Sequence, residues 1–529
     1  MKNIYSPADI ERLLESILGR PADIARLPEQ ERALATERRN VFVDAVGAAV
    51  AAEVLTLRSG SIRPVVVFAG DDLNGAYAFA AATALHDAGC PASVYFINVA
   101  NTRCADVVRA RTIFLETAGQ GFLFETVDMD LQMPEFVPGM IVVDGLFGRE
   151  YKKPLRGGYQ VLARKINASE GFVVSIDLPS GMTPDLSVGM INNNIVHASL
   201  TLTLVGPSLA FYMPENADLL GRWKALPLPY PRDLLHGIRC RARLVDAAGV
   251  RKIMPRRNPF ASKADLGTAL VCAGSYGMLG AAVLATRGAL RSGCGKVVCR
   301  APRCAFYVMQ TAVPAAMFET DGEPLDIHSF DSDIEADAVA IGPGIGRSEA
   351  TVLALDNFLK YMRAKRRPVI LDADALNCIS RRPSMLDYLP PRSILTPHAG
   401  EFDRIFGSHP TASTRLLKAI EAAAHYNVVI VLKGHYTQTV WPDGSVLVNS
   451  SGTEALATAG SGDVLTGLMA GLMAQKMPPE YAAVAAVYIH GLAGKIAAAS
   501  NGIAGTTSED IADALGPAIQ SLTEQQQKR

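Results

Sequence analysis

Short runs of apolar, mostly β-branched residues alternate with helix-forming segments along the 529 residues of this chain. In the first half, these runs are residues 64–69, 92–97, 140–144, 172–177 and 200–205. Runs that are apolar almost throughout predict strands buried on both faces, because a strand with one wet face alternates apolar and polar residues. An Ala-rich segment with good helix propensity, residues 76–88, separates the first two. The alternation predicts a parallel sheet with helices on both faces.

The second half repeats this alternation with different motifs. Residues 437–441 and 446–449 flank Pro442-Asp-Gly-Ser445 and predict a hairpin, and the chain from Asp463 onward is expected to be mostly helical. The other candidate strands are residues 267–273, 296–300, 338–341, 368–372, 394–396 and 428–432.

A proline-rich segment, Leu226-Pro-Leu-Pro-Tyr-Pro231, separates the two halves. Three prolines in six residues do not fit a helix or a central strand, so the segment predicts a stiff linker. An ordinary surface loop is the alternative. The sequence therefore predicts an α/β protein with two doubly wound domains, residues 1–225 and 236–529, joined by a linker at 226–235.

Composition excludes several classes of function. Lys plus Arg number 51 and Asp plus Glu number 52, so there is no bulk positive charge for binding nucleic acid. No uninterrupted apolar run approaches the roughly 18 residues that a membrane helix needs, so no membrane partner is expected. The eight cysteines contain no CxxC pair, which predicts the reduced thiols of a cytoplasmic protein. Cys294, Cys299 and Cys304 could be metal ligands, but their spacing favours core thiols.

The stretch from Ala457 to Leu468 contains Gly460-Ser-Gly-Asp463 and runs into an apolar helical segment. Glycines at such a turn leave backbone amides and the positive end of the helix dipole open to a phosphate. Asp463 would repel that anion unless it has a task, such as accepting a proton from an attacking hydroxyl. Plain N-capping by Ser461 or Asp463 is the alternative.

Three further motifs follow candidate strands of the second half: Gly342-Pro-Gly-Ile-Gly346, Thr396-Pro-His-Ala-Gly-Glu401 and Lys433-Gly-His-Tyr-Thr437. Ligands of open α/β sheets bind at the carboxyl ends of the strands, so these motifs are expected to meet at one rim. His398 is a candidate site residue, with a packed histidine at a strand end as the alternative.

In the first half, Gly70-Asp-Asp-Leu-Asn-Gly-Ala-Tyr77 follows a candidate strand and leads into a helix. Asn74, Asp144 and Ser180 would bring together oxygen ligands that suit a hard cation. The alternative for Asp144 and Asp177 is that each caps the turn after its strand.

Residues of about 240–529 resemble the ribokinase-like superfamily, and within it the nucleotide-dependent NAD(P)H-hydrate dehydratases. Seven sequence motifs carry the resemblance: Gly274-Ser-Tyr-Gly-Met-Leu-Gly-Ala-Ala282, Gly342-Pro-Gly-Ile-Gly346, Leu371-Asp-Ala-Asp-Ala-Leu-Asn377, Leu395-Thr-Pro-His-Ala-Gly-Glu-Phe402, Leu432-Lys-Gly434, Gly460-Ser-Gly-Asp463 and Ala486-Val-Tyr-Ile-His-Gly-Leu-Ala-Gly494. The family's usual His-Lys-Gly reads Ser262-Lys263-Ala264 here, and the glycine expected before Gly460 is Ala459.

This resemblance implies a ribokinase-like fold and a set of roles. The hydrated nicotinamide would contact Ala281, Gly344, His398 and Asp463, and Asp463 would help to deprotonate the ring hydroxyl as the phosphoryl group arrives. Mg²⁺ is expected because phosphoryl transfer spreads charge that needs neutralising. ADP (or ATP) would be held by Lys433, Gly434, His435, Tyr436, Thr437 and Gly462.

Residues 1 to about 225 resemble the NAD(P)H-hydrate epimerase domain that is often fused ahead of this dehydratase, through Asp144-Gly-Leu-Phe-Gly148 and Ile176-Asp-Leu-Pro-Ser-Gly181. The resemblance implies a Rossmann-like epimerase fold, substrate contacts at Asn74 and Asp177, Asp177 as the catalytic base, and K⁺ bound by Asn74, Asp144 and Ser180.

The first loop departs from that family. Tyr77 stands where the family's loop has an aspartate, Arg149-Glu150 replaces Thr-Gly, and Ser208 replaces a usual lysine. A bulky ring in place of a carboxylate is expected to leave epimerase activity weak or absent.

The two resemblances together imply a bifunctional enzyme that repairs hydrated NADH and NADPH, and a homo-oligomer. Its second half would remove water from the S hydrate, with AMP and phosphate released from ADP, and its first half would interconvert the R and S hydrates. Two alternatives stay open: a small-molecule kinase of the same superfamily, for example for a vitamin precursor, and a non-catalytic binding module in the first half.

Overall fold

The computed structural model describes residues 1–58, 63–98, 104–126, 133–184, 194–230, 233–236, 238 and 240–527. Contacts divide the chain into two compact units. The first unit is Ile4–Cys240, and the second unit is Arg241–Arg529 together with Met1–Asn3. In the proline-rich segment, Leu226 is buried in the core of the first unit, and Leu228 and Tyr230 pack against that core.

The strands are numbered along the whole chain. They are β1 (Lys2–Ile4), β2 (Val65–Ala69), β3 (Ser93–Ile97), β4 (Leu123–Thr126), β5 (Ile141–Gly145), β6 (Phe172–Ile176), β7 (Leu200–Thr203), β8 (Arg222–Ala225), β9 (Ala242–Val245), β10 (Thr268–Cys272), β11 (Lys296–Arg300), β12 (Met317–Glu319), β13 (Ala338–Ile341), β14 (Val369–Leu371), β15 (Ile394–Leu395), β16 (Val429–Leu432), β17 (Gln438–Val440) and β18 (Val446–Asn449).

The helices are numbered in the same way. They are α1 (Pro7–Leu18), α2 (Pro21–Ile24), α3 (Glu29–Arg58), α4 (Leu73–Asp87), α5 (Ala105–Ala118), α6 (Gly158–Asn167), α7 (Ala217–Leu220), α8 (Asp233–His236), α9 (Ala247–Ile253), α10 (Leu279–Arg291), α11 (Phe306–Ala312), α12 (Glu349–Ala364), α13 (Asp374–Arg381), α14 (Ala399–Phe406), α15 (Ala412–Tyr426), α16 (Ser461–Ala474), α17 (Pro479–Asn501) and α18 (Ser508–Gln527).

The sheet of the first unit has the strand order β4-β3-β2-β5-β6-β7-β8, and all its pairs are parallel. Alternate residues of β2 point into two different cores. Val65, Val67 and Ala69 pack with helices α1, α3, α4 and α5, whereas Val66 and Phe68 pack with helix α6. The predicted parallel sheet with helices on both faces is therefore confirmed for this unit.

The sheet of the second unit has the order β1-β9-β18-β17-β16-β15-β14-β13-β10-β11-β12. The strands from β16 to β12 pair in parallel, and the predicted hairpin β17–β18 pairs antiparallel. The α/β class is confirmed, because parallel strands alternate with helices along the chain.

The predicted apolar runs all form strands, and the segment after Asp463 is helical as expected. The sequence analysis missed β1, β4, β8, β9 and β12. These strands have three or four residues each and carry polar or exposed positions, as in Arg222–Ala225, so they lack the apolar run that marks a strand buried on both faces.

Two described helices, α3 and α17, are long and apolar enough to cross a membrane by length and composition alone. The most apolar part of α17 is 67% buried inside the protein, and that of α3 is 39% buried. Core helices of globular proteins meet the same criterion, so these two helices are weak evidence for a membrane.

Helices α10 and α16 touch through their backbones, and this contact places the start of α16 at the strand ends. A Cβ atom on Gly467 of α16 would lie 1.7 Å from the carbonyl oxygen of Ala285, and a Cβ on Gly288 of α10 would lie 2.3 Å from that of Val464. Only glycine fits at either position without separating the helices.

We expect Gly467→Ala to destabilise the second unit by about 1–3 kcal/mol, because the added methyl group meets backbone that cannot move independently of its helix. Urea unfolding of the full chain measures this loss. Gly516→Ala in α18 is the matched control, since a Cβ there meets open space and the helix propensity of alanine favours stability. Equal midpoints for the two variants would contradict the close contact.

Candidate active sites at the strand ends

Helix α16 begins at Ser461 directly after the glycine turn, as the sequence predicts. Its N-cap is Gly460, with φ at +84°, and no side chain in the described structure caps the helix. The capping alternative for Ser461 and Asp463 is therefore wrong. The first turn of α16 keeps amide groups available for an anion.

Lys433, at the end of β16, reaches across the rim to two carboxylates. Its Nζ lies 2.8 Å from Asp372 Oδ1 and 3.8 Å from Glu401 Oε2. The Thr466 hydroxyl donates to the other oxygen of Asp372 at 2.7 Å. Burial would lower the pKa of Lys433, but the charges of Asp372 and Glu401 outweigh it and raise that pKa. The ammonium group therefore stays charged beside the helix start.

The surroundings of Asp463 shift the pKa of its carboxyl group. Burial, reinforced by the charge of Asp372, raises its pKa to about 7, against the opposing influence of Lys433. Gly462 lies beside the same groups, since a Cβ there would be 3.5 Å from Lys433 Nζ and 3.8 Å from Asp372 Oδ2. A carboxylate with a pKa near 7 can accept a proton at neutral pH, as a general base must.

Gly344 and Ala281 meet at one corner of the rim. Gly344 has φ at +63°, and a Cβ on it would lie 2.9 Å from the Met278 carbonyl oxygen and 3.1 Å from Ala281 Cβ. Glycine is thus required for the backbone to come this close to the start of α10.

His398 caps helix α14 and keeps its ring at the surface. The amides of Gly400 and Glu401 donate to Nδ1 at 3.0 and 3.3 Å, and the side chain is 53% exposed. The alternative of a packed histidine is therefore wrong. Because Nδ1 accepts these hydrogen bonds, Nε2 is the ring nitrogen left to donate, and it lies 3.5 Å from Glu401 Oε1 at the exposed edge of the ring.

The segment from Lys433 to Thr437 forms a compact turn after β16. The Gly434 amide donates to the Thr437 hydroxyl at 3.3 Å, and that hydroxyl donates to the Gly434 carbonyl oxygen at 2.8 Å. The rings of His435 and Tyr436 meet edge to face, with centroids 4.7 Å apart. Gly434 and His435 are exposed, so this turn is open to a ligand.

The sequence analysis assigns no catalytic or binding role to three residues of this rim: Asp372, Asp374 and His490, which pairs with Ser461. Asp374 accepts from the Gly346 amide at 3.1 Å and so fixes the glycine loop after β13. The buried His490 places Nε2 3.1 Å from Ser461 Oγ, and burial lowers its pKa to about 4, so the ring is neutral. The signal for the two aspartates was present, because Asp372-Ala-Asp374 follows a buried strand.

In the first unit, Asp144 is the last residue but one of β5 and is fully buried. Uncharged groups donate to both of its oxygens: the hydroxyls of Ser180 and Ser175 at 2.5 and 2.8 Å, and the amides of Ser180 and Leu146 at 2.9 and 3.4 Å. Burial raises its pKa despite these bonds. Asn74 lies beside the end of β5, since a Cβ atom on Gly145 would be 3.2 Å from the Asn74 backbone oxygen. The side-chain amide of Asn74 donates to the Ile176 carbonyl oxygen at 3.1 Å.

Asp177 follows β6 with φ at +65°, and a buried guanidinium occupies its carboxylate. Arg149 Nε and Nη2 donate to the two oxygens at 2.7 and 2.5 Å, and the Arg149 amide adds a third bond at 3.3 Å. Both side chains are less than 5% exposed. The lone pairs of the predicted base are therefore directed at Arg149.

Tyr77 lies close enough to this pair for the charge of Asp177 to act on its hydroxyl. Its ring is buried in the core of the first unit, and burial, with the charge of Asp177, raises the pKa of its hydroxyl well above the usual value. The residues that line a cavity of about 1020 Å³ in the same unit include Asp72, Leu73, Asp106 and Arg149. Asp177 is absent from the described residues that line it, so Arg149 stands between the cavity and the predicted base.

Sequence profiles of two families match the chain. The profile described as NAD(P)H-hydrate dehydratase matches residues 269–517, within the second unit. The profile described as YjeF-related protein N-terminus matches residues 40–210, within the first unit.

Two curated relatives, each a bifunctional NAD(P)H-hydrate repair enzyme Nnr, match along nearly the whole chain. The protein of Moorella thermoacetica is 32% identical over 88% of this chain and 88% of its own length. That of Thermofilum pendens is 31% identical over 92% of this chain and 93% of its own length. Among solved structures, the ADP/ATP-dependent NAD(P)H-hydrate dehydratase of Bacillus subtilis, co-crystallised with ATP and Mg²⁺, is 34% identical over 52% of this chain and 97% of that chain, with a TM-score of 0.46.

Proposed function

Because this chain belongs to the bifunctional NAD(P)H-hydrate repair enzymes, with a dehydratase domain and an epimerase domain, we propose that its second unit dehydrates the S hydrate of NADH and NADPH and converts ADP to AMP and phosphate. The observation that carries this proposal is Asp463. Its pKa is about 7, and it lies at an open helix start within reach of the Lys433 charge.

Residues at one rim of the second unit have separate roles in this reaction. The turn Lys433–Thr437 and Gly462 hold the nucleotide, and the first-turn amides of α16 bind the transferred phosphoryl group. Asp463 accepts the proton of the ring hydroxyl as the hydroxyl oxygen attacks phosphorus. The ring nitrogen then expels phosphate as the carbon–oxygen bond breaks, and loss of a proton from the adjacent ring carbon restores the dihydronicotinamide.

Two cations fit the charges of these sites. In the second unit, the negative charges of Asp372, Asp374 and Glu401 all raise the pKa of Asp463. A Mg²⁺ ion arriving with the nucleotide phosphates would offset this negative charge. Bound Mg²⁺ would supply charge neutralisation during phosphoryl transfer. In the first unit, Asn74, Asp144 and Ser180 would hold K⁺. The groups that donate hydrogen bonds to Asp144 are all uncharged, so a bound K⁺ would supply a positive charge beside its carboxylate.

We also propose a cytoplasmic location and a homo-oligomer. All eight cysteines are free thiols, as in a reducing compartment. Sedimentation velocity of the full chain tests the oligomeric state.

The full chain, mixed with hydrated NADH and ADP, is expected to produce NADH and inorganic phosphate in equal amounts, because each dehydration expels one phosphate. Absorbance of NADH and a phosphate assay on the same samples measure the ratio. A stable phosphorylated alcohol with no NADH formed would instead support a small-molecule kinase.

Asp463→Asn is expected to lower kcat by roughly 10²–10⁴ and to leave ADP affinity almost unchanged, because it removes the proton acceptor but keeps the amides of α16. In the unmodified chain, kcat/KM should rise with pH through about 7, since Asp463 accepts a proton only when it is ionised. A loss below about tenfold, or a profile flat between pH 6 and 8, would contradict this role.

For the first unit, we propose weak or absent epimerase activity, in agreement with the altered loop sequence. Arg149 occupies both oxygens of Asp177 and lines the cavity in its place, and Tyr77 fills the adjoining core. A ligand in the cavity would meet a guanidinium instead of a free carboxylate. This arrangement also favours a binding module over an isomerase.

With pure R hydrate and ADP, the full chain should form NADH only as fast as the R hydrate epimerises spontaneously, because Asp177 cannot reach the substrate. Arg149→Thr should raise this rate, since it frees Asp177, and Arg149→Lys is the control that keeps a cation beside it. Circular dichroism checks that each variant is folded. Rapid conversion by the unmodified chain that disappears in Asp177→Ala would contradict the proposal.

A further inference from the structure

The strand order of the second unit fixes the order of groups along its rim. Strands β16, β15, β14, β13 and β10 are parallel neighbours, so their carboxyl ends form one edge with about 4.8 Å between strands. Lys433 follows β16, Asp372 follows β14, and Gly344 follows β13. If the function proposed above is correct, the nucleotide therefore lies towards β16. The nicotinamide, which the sequence analysis assigns to His398 after β15 and to Gly344 after β13, lies between β15 and β10.

The next structure along this edge is the loop between β10 and α10, residues 274–278. It is fixed against the Gly344 corner, because the Gly274 amide donates to the Pro343 carbonyl oxygen at 2.8 Å. On its other side, the Tyr276 amide donates to the Leu325 carbonyl oxygen at 2.7 Å. The loop is thus held at both sides, with its tip beyond the nicotinamide end of the rim.

Two residues of this loop and one residue hydrogen-bonded to it have large, exposed apolar side chains. The Tyr276 side chain is 73% exposed, Leu325 is 50% exposed and Met278 is 43% exposed. Burying an aromatic side chain is favourable, so a grouped set of exposed large apolar residues beside a ligand site is typical of a surface that the ligand covers.

The substrate has a second half that needs such a surface. A hydrated NADH or NADPH molecule carries an adenine at the end opposite its nicotinamide, and an adenine offers a flat face to an aromatic ring. We propose that Tyr276 stacks on the adenine of the dinucleotide substrate, with Leu325 and Met278 beside it, and so makes this enzyme specific for dinucleotides over mononucleotides.

The test uses the full chain with two substrates, hydrated NADH and hydrated reduced nicotinamide mononucleotide, which lacks the adenosine half. Tyr276→Ala should raise KM for hydrated NADH about tenfold, the usual size of a lost base–aromatic stack, with kcat unchanged. KM for the mononucleotide and for ADP should not change. Tyr276→Phe should restore the KM for hydrated NADH, because it keeps the ring. Tyr361→Ala, which removes an exposed tyrosine on α12, is the matched control.

The outcomes separate this inference from the proposed function. If the unmodified chain turns over neither substrate, the proposed function fails. If it turns over both and Tyr276→Ala leaves KM unchanged, raises KM equally for both substrates, or raises KM for ADP, the stacking role of Tyr276 is wrong.

Discussion

The backbone contact between α10 and α16 is the constraint on which the site of the second unit depends. Gly467 and Gly288 allow the two helices to touch without intervening side chains. The contact carries the start of α16 to the middle of the rim, where Asp463 meets Lys433 and Asp372. One extra methyl group in this crossing would move the anion-binding amides and the proton acceptor together, since both belong to the first turn of the same helix.

The sequence predicts the parts of this protein that depend on local pattern. Apolar runs such as residues 338–341 identify the central strands because a strand buried on both faces has no polar positions. The convergence of glycine motifs at one rim follows from the parallel sheet itself. Edge strands such as β9 and β12 were missed, because a short strand with exposed positions has no such pattern.

Contacts between residues far apart in the chain lie beyond sequence reasoning. Lys433 and Asp372 are 61 positions apart, and their pairing decides which carboxylate at the rim is neutralised and which is left for chemistry. Arg149 is 28 positions from Asp177. From sequence it is a bulky replacement on a loop, and only the structure reveals that its guanidinium binds the predicted base. The two units thus treat similar carboxylates differently, with Asp463 available to accept a proton and Asp177 occupied.

Strand β1 shows that the second unit is discontinuous in the chain. It pairs with β9, although about 240 residues separate the two strands in sequence. During synthesis at 5–20 residues per second, the first of these strands would wait roughly ten to fifty seconds for its partner. The whole first unit is made in that interval, so it folds while this edge of the later sheet is still missing. Completion of the second sheet therefore depends on a segment that left the ribosome long before its partner strand was made. Closing a loop of this length adds a slow, non-local step to the folding of the dehydratase domain.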